Sequence, residues 1–185
     1  MAKKTSLGVT KVDEFTQTLS DSITMAVTAN AGGTVQLGST VSQMAKQGMV
    51  VQKIEYTLAP LSGMLSATGA NLKFGLSHIS AQPAAGWSPE SPGLLDWNRV
   101  DRVDLGAAAT GSLMTMPYVK DFTALRGGGK LCHPAYLYMW YWVGATALGA
   151  TTYLYVRIDY TTLTLRPEEF VELWQNIMVT QPAVV

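Results

Sequence analysis

Two histidines, one cysteine and a short run of aspartates and arginines are the residues of this chain best suited to chemistry, and their spacing keeps them apart. His78 and His133 fall in no HxH, HExxH or Cys/His pattern, and a metal-dependent enzyme needs a tight cluster of histidine and carboxylate ligands. His78 reads as a strand residue at the rim of a core, and His133 as a loop residue before Pro134. Two histidines so placed complete no Ser/His/Asp set. Cys132, the only cysteine, reads as a small buried hydrophobe beside a Trp-rich strand, and it excludes an internal disulfide framework. Asp96, Asp101 and Asp104 alternate with Arg99 and Arg102, a pattern of solvated or intersubunit ion pairs more than of a carboxylate site. Gly127-Gly-Gly129 before Lys130 lacks both the GxxxxGK[ST] spacing and the following helix of a phosphate cradle. The sequence therefore predicts no catalytic, metal-ligating or cofactor-binding residue and no small-molecule substrate: the chain is not expected to be an enzyme.

The elements that carry these residues read as β-structure. Tyr136 to Val143 and Thr151 to Tyr160 read as two long strands of a hairpin joined through Gly144 to Gly149. Side chains alternate along a strand, so Leu154, Val156, Ile158 and Tyr160 form a core face, and Tyr153, Tyr155, Arg157 and Asp159 a solvent or partner face. The Tyr136 to Val143 strand is apolar or aromatic on both sides. It must be covered twice, by two layers of its own domain or by one layer and a neighbouring subunit.

Leu131 through Val156 carries no formal charge and exceeds the roughly 20 apolar residues that cross a bilayer. Its Cys-His-Pro start, internal glycines, threonines and aromatics favour strands over a membrane helix.

Further alternation marks Phe15 to Thr28, Thr34 to Ser39, Met49 to Leu58 and Leu72 to His78, with Asn30 to Gly33 as a turn. In the third of these, Val50, Ile54, Tyr56 and Leu58 share a face that Gln52 interrupts. Ala81 to Gly111, with its prolines, Trp87 and Trp97, reads as a long interaction loop whose short strands the pattern does not resolve. Leu113 to Phe122 returns to the sheet. Pro167, Glu168 and Glu169 mark a helix start, and Phe170, Leu173, Trp174 and Ile177 form one apolar stripe, expected to dock on the parent domain.

The organisation is thus a flexible N-terminal arm over 1–14, a β domain over 15–165, and a short C-terminal helix and tail over 166–185. The fold class is all-β, a single jelly-roll sandwich or barrel of about eight antiparallel strands.

Charged residues are only 14% of the chain and Lys+Arg balance Asp+Glu at 13 each, so much of the exterior is expected to be hidden against other copies. Lys3, Lys4 and Lys11 make the arm mildly basic, but Asp13 and Glu14 follow. Nucleic-acid binding is expected to be weak or absent. No apolar segment follows the N-terminal lysines, so no secretory signal is read. The candidate subunit-interface residues are Trp87, Trp97, Tyr138, Trp140, Trp142, Phe170 and Trp174.

A polar arm, the strand Met49-Val-Val-Gln-Lys-Ile-Glu-Tyr-Thr-Leu58, a long central loop, and an aromatic strand beside Tyr153-Leu-Tyr-Val-Arg-Ile-Asp-Tyr160 resemble the layout of single jelly-roll capsid proteins of small icosahedral viruses and tailless phages. The resemblance implies a wedge of two four-stranded sheets, a capsid subunit of the virion made in the host cytoplasm, and copies of itself as partners. The Arg/Lys-rich arm of many RNA-virus capsids is missing. That leaves open a second capsid protein, or an internal membrane beneath the shell. The alternative is a carbohydrate- or ligand-binding β-sandwich module that stacks sugars on Trp87, Trp97, Trp140 and Trp142.

Overall fold

The computed structural model of the chain describes residues 11–12, 16–37, 47–59, 69–80, 88–91, 93–101, 118–125 and 128–180. These form β1 (Lys11–Val12), β2 (Gln17–Met25), β3 (Gly32–Gln36), β4 (Gln47–Ala59), β5 (Asn71–Ser77) and β6 (Leu94–Asp101). There follow β7 (Tyr118–Asp121), β8 (Lys130–Cys132), a 3-10 turn (Pro134–Tyr136), β9 (Tyr138–Val143), β10 (Thr152–Thr164) and α1 (Pro167–Thr180).

All the strand pairs are antiparallel, in two sheets. The larger sheet centres on β10 and β4. β1 and β2 lie end to end along the free side of β10, and β7 and β8 end to end along the free side of β4, so the sheet is four strands wide. The smaller sheet has the order β3-β9-β5-β6. Among the described strands the chain thus switches sheets at nearly every connection, with β5 and β6 as the one pair of consecutive full-length strands that stay together. This is the eight-stranded jelly-roll order, and it agrees with the fold class read from the sequence. Leu154, Val156 and Ile158 of β10, Ile54, Tyr56 and Leu58 of β4, and Leu72, Phe74, Leu76, Met139, Tyr141 and Val143 from the smaller sheet fill the core between the layers.

The expected hairpin is corrected. β9 and β10 lie in opposite sheets, and Gly144 to Thr151 crosses the end of the sandwich. The backbone of this connection bonds to other turns: Asn30 N–H donates to Gly144 O, Gly144 N–H to Asn71 O and Leu148 N–H to Val27 O. Two strands that face one core from opposite sides carry the same alternation as two paired in one sheet, so periodicity does not separate the cases.

A second correction concerns β4. The register against β10 shifts between Asp159 and Tyr160, passing from Asp159↔Lys53 to Tyr160↔Val51 and leaving Gln52 as the extra residue. One inserted residue exchanges the two faces of a strand. Val51 and Met49 therefore point into the core. Val50, expected beside Ile54, turns to the outer face and joins Leu163 and Leu165 in a separate apolar patch, on which Phe170 and Leu173 of α1 pack. Gln52, which interrupts the apolar pattern, is the sequence mark of this bulge.

The helix starts where its sequence predicts. Glu169 Oε2 accepts from the Arg166 N–H at 3.1 Å, the back-reaching half of a capping box, and the acidic first turn suits the positive end of the helix dipole. α1 thereby covers one end of the outer face of the larger sheet and docks on its own domain, as expected. The arm and the long loop each carry a strand. Lys11–Val12 of the arm is a strand, held on Thr164 and Leu163. Part of the long loop is β6, seven of whose residues pair with β5.

Candidate subunit interface

The register of the smaller sheet sets Thr34, Trp140, Gly75 and Trp97 in one row across its outer face. Gly75 is the gap in that row. A Cβ there would run into the Asp96 carbonyl and come within 3.2 Å of Trp140 Nε1, so the indole lies over the space a side chain would fill.

Trp140 itself is fully buried within the chain. As a subunit-contact candidate it is corrected: it is an internal packing residue, because the chain covers the outer face of β9 at this point. Tyr138 and Trp142, two residues to either side on the same face, are half-buried. The double coverage expected for β9 thus comes from the domain itself at the centre and leaves the flanks partly open. Trp97 is also half-buried, and its Nε1 is a buried donor with no partner among the described residues. Phe170 packs against the Val50, Leu163 and Leu165 patch of its own domain. Trp87 and the Trp174 side chain lie outside what the structure describes.

The charged run of β6 divides. Arg99 pairs with Asp101 at 2.7 Å in solvent, as its sequence predicts. Asp104 and Arg102 fall outside the described residues. Asp96 instead points inward, where Lys120 Nζ approaches it to 2.6 Å and Asn98 Nδ2 donates to it at 2.7 Å. Nearby, burial and then the charge of Asp96 push the pKa of the Tyr56 hydroxyl well up. Lys120 also donates to Trp97 O at 2.9 Å, and Lys130 to Leu95 O at 2.6 Å. Lys130 further lies 4.6 Å from the centre of the Phe122 ring. Two lysines of the larger sheet thus cap edge carbonyls of β6 and close one side of the sandwich. The sequence reading missed this clasp, since lysines tens of residues from Asp96 show no local spacing.

The histidines serve structure. Tyr136 O accepts from His78 Nδ1 at 2.8 Å, which fixes the tautomer. His133 Nδ1 accepts from Ala135 N–H at 3.2 Å and caps the 3-10 turn. Its ring packs 5.1 Å from that of Tyr136 and 5.3 Å from that of Phe170. Burial lowers the pKa of both rings, and for His133 the charge of His78 adds to the lowering. Burial pushes the Cys132 thiol up to about 12, so at neutral pH it is no nucleophile. Among the described residues no group of three His, Cys, Asp or Glu side chains could hold a metal ion, and no helix is long and apolar enough to cross a membrane.

The outer face of the larger sheet beyond α1 is open and polar. Tyr153 and Tyr155 are 41% and 44% exposed there, with ring centres 6.2 Å apart. No protein-family model matches the chain, and no curated protein matches it. Among solved structures, a chain of Desmodium yellow mottle tymovirus matches at 13% identity and a TM-score of 0.43, over 88% of this chain and 96% of that one.

Proposed function

We propose that this chain is a viral structural protein, a capsid subunit that assembles with copies of itself into an icosahedral shell enclosing a genome. The observation that carries the reading is the strand order: among the described residues a jelly roll, each sheet four strands wide, with an N-terminal strand and a C-terminal helix added at one end of the larger sheet. The fold alone serves many functions, and low surface charge is what favours assembly here. With 14% charged residues and no net charge, the chain has little to keep copies apart, and Trp97, Tyr138 and Trp142 offer half-open aromatic surface for contact. The chain acts as a wall and not as the neutraliser of the genome, which falls to a second capsid protein or lies behind an internal membrane. Its place is the virion, after synthesis in the host cytoplasm.

Negative-stain electron microscopy with light scattering on the freshly expressed full chain tests this. Uniform closed particles or stable capsomers are expected. A monomer that stays soluble at high concentration, alone and with the other virion proteins, would overturn it.

A further inference from the structure

The outer face of the larger sheet is built in two halves that differ in chemistry. Where α1 lies, Val50 of β4, Leu163 of β10 and the adjacent Leu165 meet Phe170 and Leu173 of the helix. Beyond the helix the same face changes to hydroxyls and tyrosines. The register puts Tyr155 between Ser22 of β2 and Thr57 of β4, and Arg157 between Ser20 and Glu55. With Asp21, these residues line a shallow open basin of about 500 Å³, in the size range of small-ligand sites.

Most of its polar groups are uncommitted. The Tyr153 and Tyr155 hydroxyls, and those of Ser20, Ser22 and Thr57, have no hydrogen-bond partner among the described residues. Arg157 touches Asp159 through Nε, at 3.4 Å, and its side chain is 60% exposed. Glu55 meets Lys53 at 3.7 Å in a loose surface pair.

From this arrangement we propose that the basin binds a neutral oligosaccharide, with one pyranose ring on the exposed face of Tyr155 and a second toward Tyr153. The aromatic faces supply stacking surface for C–H groups. Ser22, Thr57, Arg157 and Glu55 supply the mixed donors and acceptors that a ring of hydroxyls needs and a purely apolar patch lacks. Charge selects against the obvious anionic ligands. Arg157 stands directly opposite Glu55 in the register, and Lys53 and Asp159 add one charge of each sign, so the basin has no net positive charge to hold a nucleic-acid backbone. The platform differs from the tryptophans suggested by the sequence, one of which is sealed inside the chain.

The inference does not depend on shell assembly, and binding is read on whatever oligomer the full chain forms. An array of neutral and sialylated oligosaccharides is probed with the full-length protein, and a bound sugar is then titrated by calorimetry. At least one neutral oligosaccharide should bind. Tyr155→Ala should weaken it about tenfold or more, and Tyr155→Phe, which keeps the ring, much less. Glu55→Gln should weaken it without altering the circular dichroism spectrum. Binding of no neutral sugar, binding of sialylated sugars alone, or full affinity in Tyr155→Ala would each overturn the proposal. So would particles in which Tyr155 is sealed by a second copy.

Discussion

Lys120 reaches across the open side of the sandwich to Asp96, its ammonium 2.6 Å from a carboxylate that is only 3% exposed. A buried carboxylate left without its cation keeps its desolvation cost and loses its compensation. Lys120→Met should therefore lower stability by about 2–3 kcal/mol in urea unfolding. The double variant Asp96→Asn with Lys120→Met should recover much of the loss, because neither charge is then stranded. An unchanged midpoint in the single variant would mean that Asn98 alone satisfies the carboxylate.

Gly75 and Gly128 should respond differently to alanine. At Gly75 the new Cβ meets backbone, the Asp96 carbonyl of the paired strand, so β6 must shift and the indole of Trp140 with it. A loss of about 3 kcal/mol or an insoluble product is expected. At Gly128 nothing lies within 4 Å, and the cost comes from a φ of +75° alone, about 1 kcal/mol. Thermal unfolding of the two variants side by side checks the order; equal shifts would remove the close-packing argument.

The contrast between local and nonlocal information runs through the whole chain. β2, β4, β5 and β10 were legible because each alternates over five or more residues, β9 because it is an unbroken aromatic and apolar run, and α1 because Pro167, Glu168 and Glu169 precede a clear apolar stripe. The partner of a strand was not legible. Tyr138 to Val143 and Thr152 to Thr164 offer the same apolar residues to the core whether hydrogen-bonded together or facing across about 10 Å of core. β6 escaped because its inward positions include Asp96 and Asn98, polar residues whose partners lie in other elements. For the candidate interface, composition found the aromatics but not their depth. Trp140 and Trp142 are two residues apart on one face, and only the covering chain makes the first internal.

Stability should fall on mild acidification. His78 and His133 have folded-state pKa values below the ordinary 6.5, through burial first. The unfolded chain then binds protons more readily than the folded one between those lowered values and about 6.5. Stability is full above that range and declines as pH falls through it, levelling off below the folded pKa values. Urea midpoints measured across the range should show the decline, and His78→Gln with His133→Gln should flatten it. A slope that persists in the double variant would assign it to other groups.

Cys132 should be silent to thiol reagents in the native state. It is fully buried and its thiol is pushed up to about 12, so both access and thiolate are lacking. Ellman's reagent at mildly alkaline pH should report no reaction until urea unfolds the chain, and then one thiol. Rapid reaction with the folded protein would show that the β8 region opens without global unfolding.

Trp140 and Trp142 should separate folding from assembly. Trp140 is sealed inside the chain over Gly75, so Trp140→Ala leaves a cavity worth about 3–5 kcal/mol and should reduce the yield of folded protein. Trp142, half-buried on the same face, gives up less of its own domain's packing. If it anchors a neighbouring subunit, truncation there removes contact area that matters only between copies, and such anchors are worth about 2 kcal/mol or more each. Because a shell repeats the contact at every subunit, even that loss should raise the concentration needed for assembly well beyond the single-contact factor. Trp142→Ala is therefore expected to keep its circular dichroism spectrum and thermal midpoint within about 1 kcal/mol while light scattering shows particles failing to form. Trp97→Ala should behave the same way. Normal particles from both variants would move the contact surface away from the outer face of the smaller sheet, whatever the fate of the capsid reading.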